Sequence, residues 1–218
     1  MKMTKIAALL VTAAALMVSQ AGATVVFSYS GGTPQTMPAL EYFGPGPQTF
    51  GSPTITWSST NATMQGGSVF GYNEGYGFLA NGFWDAGVGT MAGVNDSFAA
   101  YGVTDTMTFA FSSPVSSVGG FFNYVPGGPT PTTIAVWDSS MHLIESYNLT
   151  FLTNGTTDSG QNIGFIDPGI AYFTMTDNYV AIAQMVTNFS TTPEPSSLLL
   201  MGSGALGLAG LLRRKFNV

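Results

Sequence analysis

The sequence predicts an all-β protein: a β-sandwich of jelly-roll type, flanked by an N-terminal signal peptide and a single C-terminal transmembrane helix. Three observations predict it. Short runs that alternate in polarity or are rich in β-branched residues recur through the middle of the chain, cut by Gly, Pro, Asn and Asp, and no long helical period appears. Only 7% of the 218 residues are charged against 45% hydrophobic, which is far from the balance of a disordered chain. The longest uncharged apolar runs lie at the two ends. The chain therefore divides into 1–23, 24–191 and 192–218, with one domain in the middle.

Residues Met1 to Ala23 follow the layout of a secretory signal. Lys2 and Lys5 make a positive start, Ile6 to Val18 form an apolar run, and Ala21-Gly22-Ala23 supplies small residues for cleavage after Ala23. At about 13 residues the run is too short to span a bilayer comfortably, so removal by signal peptidase is expected over retention as an anchor.

Strands are then predicted at Val25–Ser30, Thr54–Ser58, Gly77–Phe83, Thr106–Phe111, Val118–Tyr124, Thr132–Trp137, Leu143–Phe151, Asn162–Ile166, Ile170–Thr176 and Val180–Val186. Thr106-Met107-Thr108-Phe109-Ala110-Phe111 shows the reason in miniature: even and odd positions differ in polarity, as a strand with one wet face requires. Between the first two strands, Gly31 to Pro53 is rich in Gly and Pro and reads as a draped loop. Gly66 to Gly93 mixes Gly with Tyr72, Tyr76, Phe78, Phe83 and Trp84. These rings either fill the core or form a sugar-stacking surface, in which Tyr76 and Trp84 would take the apolar face of a pyranose while Glu74 and Asp85 take its hydroxyls. Many short strands with turns between them and no repeat of fixed period favour a sandwich over a propeller or solenoid.

After Pro193-Glu194-Pro195, which ends any strand, Ser196 to Leu212 is uncharged and apolar, and Arg213-Arg214-Lys215 follows. At about 17 residues the 196–212 run is at the lower limit of a spanning helix, and the basic triplet is a stop held on the cytoplasmic side. That orientation places the middle domain outside the inner membrane, in agreement with the signal peptide. Thr192-Pro193-Glu194-Pro195-Ser196-Ser197-Leu198, the Gly/Ala/Leu span and the basic end together resemble the PEP-CTERM sorting signal. The resemblance implies recognition by an exosortase, cleavage near the Pro-Glu-Pro after transient inner-membrane anchoring, and delivery to the cell surface or the exopolysaccharide matrix of a biofilm.

The second half of the domain resembles the jelly-roll ectodomains common among proteins with this tail. Val118-Gly119-Gly120-Phe121-Phe122, Thr133-Ile134-Ala135-Val136-Trp137-Asp138, Ile163-Gly164-Phe165-Ile166 and the run from Ile170 to Val186 carry the likeness. Two positions depart from that pattern. Met141 stands after Ser139-Ser140 where such hairpins often have Gly, and Gln184 stands where the last strand often has Asp.

Charge and composition exclude several classes of function. All five basic residues sit in the ends, so the middle domain has no Lys or Arg with which to bind nucleic acid or an anionic lipid surface. Cysteine is absent, which removes disulfides, thiolate metal sites and thiol nucleophiles together. His142 is the single histidine, and no Gly-x-Ser-x-Gly elbow accompanies it. A glycosidase needs two carboxylates, and Glu74 with Asp85 is the pair its neighbours single out. Calcium is the metal that unpaired carboxylates in loops would hold, with Asp96 and Asp158 as candidates, although no EF-hand spacing supports it. The reading that follows is a non-enzymatic surface or matrix protein without a cofactor, associated with exopolysaccharide. A lectin-like module is the alternative, and a glycoside hydrolase the third.

Overall fold

Alternation at Thr106–Phe111 marks one end of a much longer strand. The computed structural model describes residues 23–62, 67–95, 104–128, 130–177 and 179–189. In chain order the strands are β1 (Thr24–Phe27), β2 (Thr33–Pro34), β3 (Tyr42–Phe43), β4 (Gln48–Phe50), β5 (Ile55–Ser59), β6 (Ser68–Tyr72) and β7 (Tyr76–Gly77). They continue with β8 (Phe83–Trp84), β9 (Met91–Asn95), β10 (Asp105–Tyr124), β11 (Thr133–Trp137), β12 (Leu143–Asn148), β13 (Gln161–Asp177) and β14 (Tyr179–Phe189). Two short 3-10 turns, Leu79–Asn81 and Ala86–Val88, flank β8. The predicted all-β class is therefore observed.

Both long strands, β10 and β13, are shared between two sheets. The first half of β10 pairs with β5 on one side and with the second half of β13 on the other, and the order there is β12-β11-β13-β10-β5-β4. From Val115 onward β10 pairs instead with β14 and with the first half of β13, giving β1-β13-β10-β14-β9-β6-β3. β2 adds to the far end of β14 at Val186 and Thr187. All these pairings are antiparallel. The crossover falls at two register shifts, one between Ala110 and Val115 and one between Val115 and Ser117, the second opposite Asp167-Pro168-Gly169 of β13. Pro114 and Pro168 lack the N–H a ladder needs, so each sits where pairing is already interrupted. A bulge also sharpens local twist, which lets one strand turn from sheet to sheet.

The two sheets face each other across the main core. Alternate residues of both point inward: Ile55, Trp57, Met107, Phe109, Ile134 and Phe173 from the first, Phe70, Val94, Val118, Phe122, Phe165 and Ile182 from the second. Ring pairs cross the gap, Trp57 to Phe70 at 5.2 Å and Phe122 to Phe173 at 6.0 Å between centroids. Burying each such side chain stabilises the fold by about 1.5–3 kcal/mol, and in a domain without Lys or Arg this burial carries what ion pairs cannot.

Several elements differ from the expectation. The strands predicted at Thr106–Phe111 and Val118–Tyr124 are one strand, β10, and those at Asn162–Ile166 and Ile170–Thr176 are β13. The segment predicted as a strand at Gly77–Phe83 is split by the 3-10 turn at Leu79–Asn81. The strand from Leu143 ends at Asn148, short of Phe151. β6 and β9 lie outside the predicted strands, because Gly71 and Gly93 interrupt their alternation, and the predicted draped loop from Gly31 to Pro53 carries the short strands β2, β3 and β4. Among the described residues no helix is long and apolar enough to cross a membrane. The predicted signal peptide up to Gly22, with Ala21, and the predicted 196–212 helix lie outside the described residues, as do Pro193, Glu194, Pro195, Arg213, Arg214 and Lys215.

Candidate functional site

The outer face of the second sheet is covered, and the aromatic stretch of the sequence is what covers it. Alternation sends Val69, Met91, Ala181 and Ala183 away from the main core, and Tyr76, Phe78, Trp84 and Val88 close over them as a second cluster. Trp84 stacks on Phe121 with centroids 5.4 Å apart and planes 16° from parallel, and Phe78 packs edge-on against Trp84 at 5.0 Å. Small residues below leave room for the rings: a Cβ on Gly93 would lie 3.1 Å from the Tyr76 hydroxyl. Burial, with Tyr179 alongside, pushes the Tyr76 phenol well above its ordinary pKa.

These contacts bear directly on the choice between core filling and a sugar-stacking surface. Trp84 is 1% exposed and Tyr76 7%, so their faces are taken up by protein and present no platform to a pyranose. The rings do what core rings do. Trp84 Nε1 donates to the Ser159 carbonyl at 2.6 Å, anchoring the cover to the loop that follows β12. Asn81, fully buried, is the hub of that anchorage. Its carbonyl accepts from Asn123 Nδ2 at 3.0 Å and Thr153 Oγ1 at 2.7 Å, and its side chain accepts from the Thr153 N–H and donates to the Phe151 carbonyl. A buried amide satisfied on this many sides fixes one arrangement of the two loops.

The candidate carboxylates fall in different places. Glu74 is exposed at the turn before β7. Asp85 caps the second 3-10 turn: its Oδ1 accepts from the Gly87 N–H at 2.6 Å. Asp158, half-buried, accepts from the Asp85 N–H through Oδ1 at 2.8 Å. Each of these two therefore shapes a turn. Asp96 lies outside the described residues, and among the described residues no group of three or more His, Asp or Glu gathers as a metal site would require. His142 is exposed at the β11–β12 hairpin, with Nδ1 3.1 Å from Asp138 Oδ2. Asp138 also accepts from the backbone N–H groups of His142 and Ser140, and the His142 amide above all holds its carboxyl below the usual aspartate range.

A cleft of about 580 Å³ opens on the same face of the second sheet, beside the covered patch. One wall is the segment from Tyr29 to Met37, the other is Val88-Gly89-Thr90, and Asn162 with Gln184-Met185-Val186 forms the floor. The walls are fastened. Tyr29 shares a 2.6 Å hydrogen bond between its hydroxyl and Ser117 Oγ, Gln35 Nε2 donates to Thr187 Oγ1 at 2.9 Å, and Thr90 Oγ1 donates to the Met37 carbonyl at 2.7 Å, tying wall to wall. Tyr29 lies over bare backbone, since a Cβ on Gly164 would come within 2.5 Å of its ring. The sequence signals the draped segment but not this cleft, because its lining comes from four separate stretches with no shared pattern.

Residues 191–215 match the family model for the PEP-CTERM protein-sorting motif, so the chain carries that motif at its C-terminal end, and the motif indicates exosortase-mediated sorting to the cell surface. No curated protein matches the chain significantly. Among solved structures it is similar to the lectin domain of lectinolysin complexed with Lewis B antigen, at 12% identity and a TM-score of 0.38, over 62% of this chain and 92% of that one. It is also similar to a Streptococcus pneumoniae fucose binding module, at 10% identity and a TM-score of 0.35, over 62% of this chain and 89% of that one.

Proposed function

We propose that this protein is exported through its N-terminal signal, anchored transiently by the 196–212 segment, and released by an exosortase near Pro193-Glu194-Pro195 as a non-enzymatic surface or matrix protein. Its β-sandwich, of jelly-roll type, associates with exopolysaccharide. The observation that carries the reading is the match of residues 191–215 to the sorting motif, with its basic end after an apolar run. Signal peptidase cleaves after Ala23 in this scheme, so the mature chain begins at Thr24, where the first strand begins.

The domain between the signals supports a binding role over catalysis. Of the pair suited to glycoside hydrolysis, Asp85 is committed to capping its own turn, and Tyr76 and Trp84 beside it are packed away from solvent. The lectin-like alternative is favoured by the fastened cleft, which is open to solvent and, among the described residues, free of charged lining.

Intact-mass analysis of the mature protein from its host, with and without the exosortase, tests the reading. A species beginning near Thr24 and ending near Pro193 only when the exosortase is present is the expected result. A chain that keeps Arg213 to Val218 in both strains would show an ordinary membrane anchor instead.

A further inference from the structure

We propose that the cleft between the Tyr29–Met37 segment and the Val88–Thr90 turn is the site that holds polysaccharide, and that its ligand is an uncharged one; this deepens the matrix-binding reading and rests on it. The lining decides the charge of the ligand. Among the described residues no Asp, Glu, Lys, Arg or His borders the cleft, and the chain has no Lys or Arg between Lys5 and Arg213. An acidic polysaccharide or a phosphate would meet no counter-charge there, and the net charge of −6 would oppose it. A cation would find no carboxylate.

The same lining suits hydroxyl groups. Ser30 and Thr36 contribute hydroxyls, and Asn162 and Gln184 contribute carboxamides, each of which can both donate and accept, while Thr90 Oγ1, donating to the Met37 carbonyl, keeps its lone pairs free to accept. A sugar hydroxyl also does both, so such groups pair with it in either sense. Pro34 and Val186 supply apolar surface for the C–H faces of a sugar ring. The volume of about 580 Å³ lies within the range of about 300–1,000 Å³ typical of small-ligand sites, enough for a short stretch of chain.

Gln184 is the independent sign that the floor is built for use. It sits within β14, the strand beside β10, with φ of +49°, a left-handed conformation that costs a residue with a Cβ. Pairing with β10 shifts register here, from Gly119↔Val186 to Phe121↔Ala183, so the residue is bulged out and its side chain is aimed at the cleft. There it stays exposed, with Nε2 donating to the Val88 carbonyl at 3.2 Å, which ties the floor to the far wall. A site whose walls and floor are already fastened has little ordering left to do when a ligand arrives.

Affinity gel electrophoresis of the full chain, extracted in mild detergent from exporting cells, tests the assignment with dextran, galactomannan and xyloglucan as uncharged probes and alginate as the acidic one. Retardation by at least one uncharged polymer and none by alginate is expected. Thr36→Trp, which fills the cleft from an exposed position, should weaken that retardation at least about tenfold. Gln184→Gly should weaken it by about tenfold as well, the scale of one lost hydrogen bond, with Tm little changed because relief of the left-handed strain is offset by the unfolded-state entropy of Gly and loss of the bond to the Val88 carbonyl. Hydroxyl-radical footprinting of the unaltered chain supplies a readout that needs no variant: the retarding polymer should protect residues 29–37 and 184–186. Retardation by alginate alone, by no polymer, or undiminished in both variants, or a footprint without protection at those residues, overturns the proposal. Sugar binding that survives both variants would leave matrix association standing at another surface. Loss of exosortase-dependent cleavage would instead remove the sorting reading and leave the cleft untouched.

Discussion

At the scale of single residues, the β11–β12 hairpin shows how a turn is kept without its usual glycine. The turn places Met141 at φ of +61°, half-exposed, with its N–H donating to the Asp138 carbonyl at 3.1 Å. Asp138 compensates by gathering the amides of Ser140 and His142 on its carboxylate. A left-handed L-residue costs about 1–2 kcal/mol, and glycine gives back about 0.5–1 kcal/mol through the entropy of the unfolded chain. Met141→Gly should therefore stabilise the protein by about 0.5 kcal/mol, a rise in Tm of about 1–2 °C, whereas Met141→Ala should change little. Thermal denaturation followed by circular dichroism reads both; equal Tm values for the Gly and Ala variants would show that backbone strain at this turn is negligible. The absence of Gly at position 141 was legible in the sequence, but that the chain would keep the left-handed turn was not, because the hydrogen bonds to Asp138 that hold it exist only once the hairpin has formed.

At the scale of elements, alternation located strands and failed at their joints. Met107, Phe109, Phe165 and Phe173 all lie on the inward face that a period of two assigns them. What the pattern could not show is that Ser112-Ser113-Pro114 and Asp167-Pro168-Gly169 are bulges inside continuous strands, since the same residues end strands elsewhere. The aromatic stretch is a different case: ring content without periodicity is compatible with core filling, the reading its composition favours, and with a ligand platform, and the small residues of the sheet beneath give the rings their buried place. The long β10–β13 pairing also sets Asp105 directly opposite Asp177, both buried, at the start of one strand and the end of the other. Each accepts a threonine hydroxyl, Asp105 from Thr60 at 2.9 Å and Asp177 from Thr132. Like charges opposite one another weaken a strand pair by about 0.2–1 kcal/mol. Asp105→Asn retains an oxygen for Thr60 and removes one charge, so it should stabilise the protein by that amount at pH 7. Urea denaturation should show a higher midpoint with an unchanged slope, and a lower midpoint would mean that the carboxylate itself holds this corner together.

At the scale of the whole molecule, the distribution of charge was fully legible and has a consequence for stability as well as for ligand choice. The ends carry all five cations, so a chain cut after Ala23 and near Pro193 keeps carboxylates and loses every Lys and Arg. His142 with Asp138 is the single ion pair among the described residues, and it lies exposed at a hairpin. Long-range electrostatics within the mature domain is then almost wholly repulsive, in contrast to proteins whose surface pairs attract and are weakened by salt. Raising NaCl from about 0.01 M to about 0.15 M shortens the Debye length from about 30 Å to about 8 Å and screens that repulsion. Melting of the mature protein in the two buffers at pH 7 should give the higher Tm at the higher salt, with most of the gain complete by about 0.15 M because distant carboxylates are screened first. The alternative outcome, a Tm that falls as NaCl is added, would require attractive pairs that a domain without Lys or Arg does not possess, and would mean that the mature chain retains its basic C-terminal end.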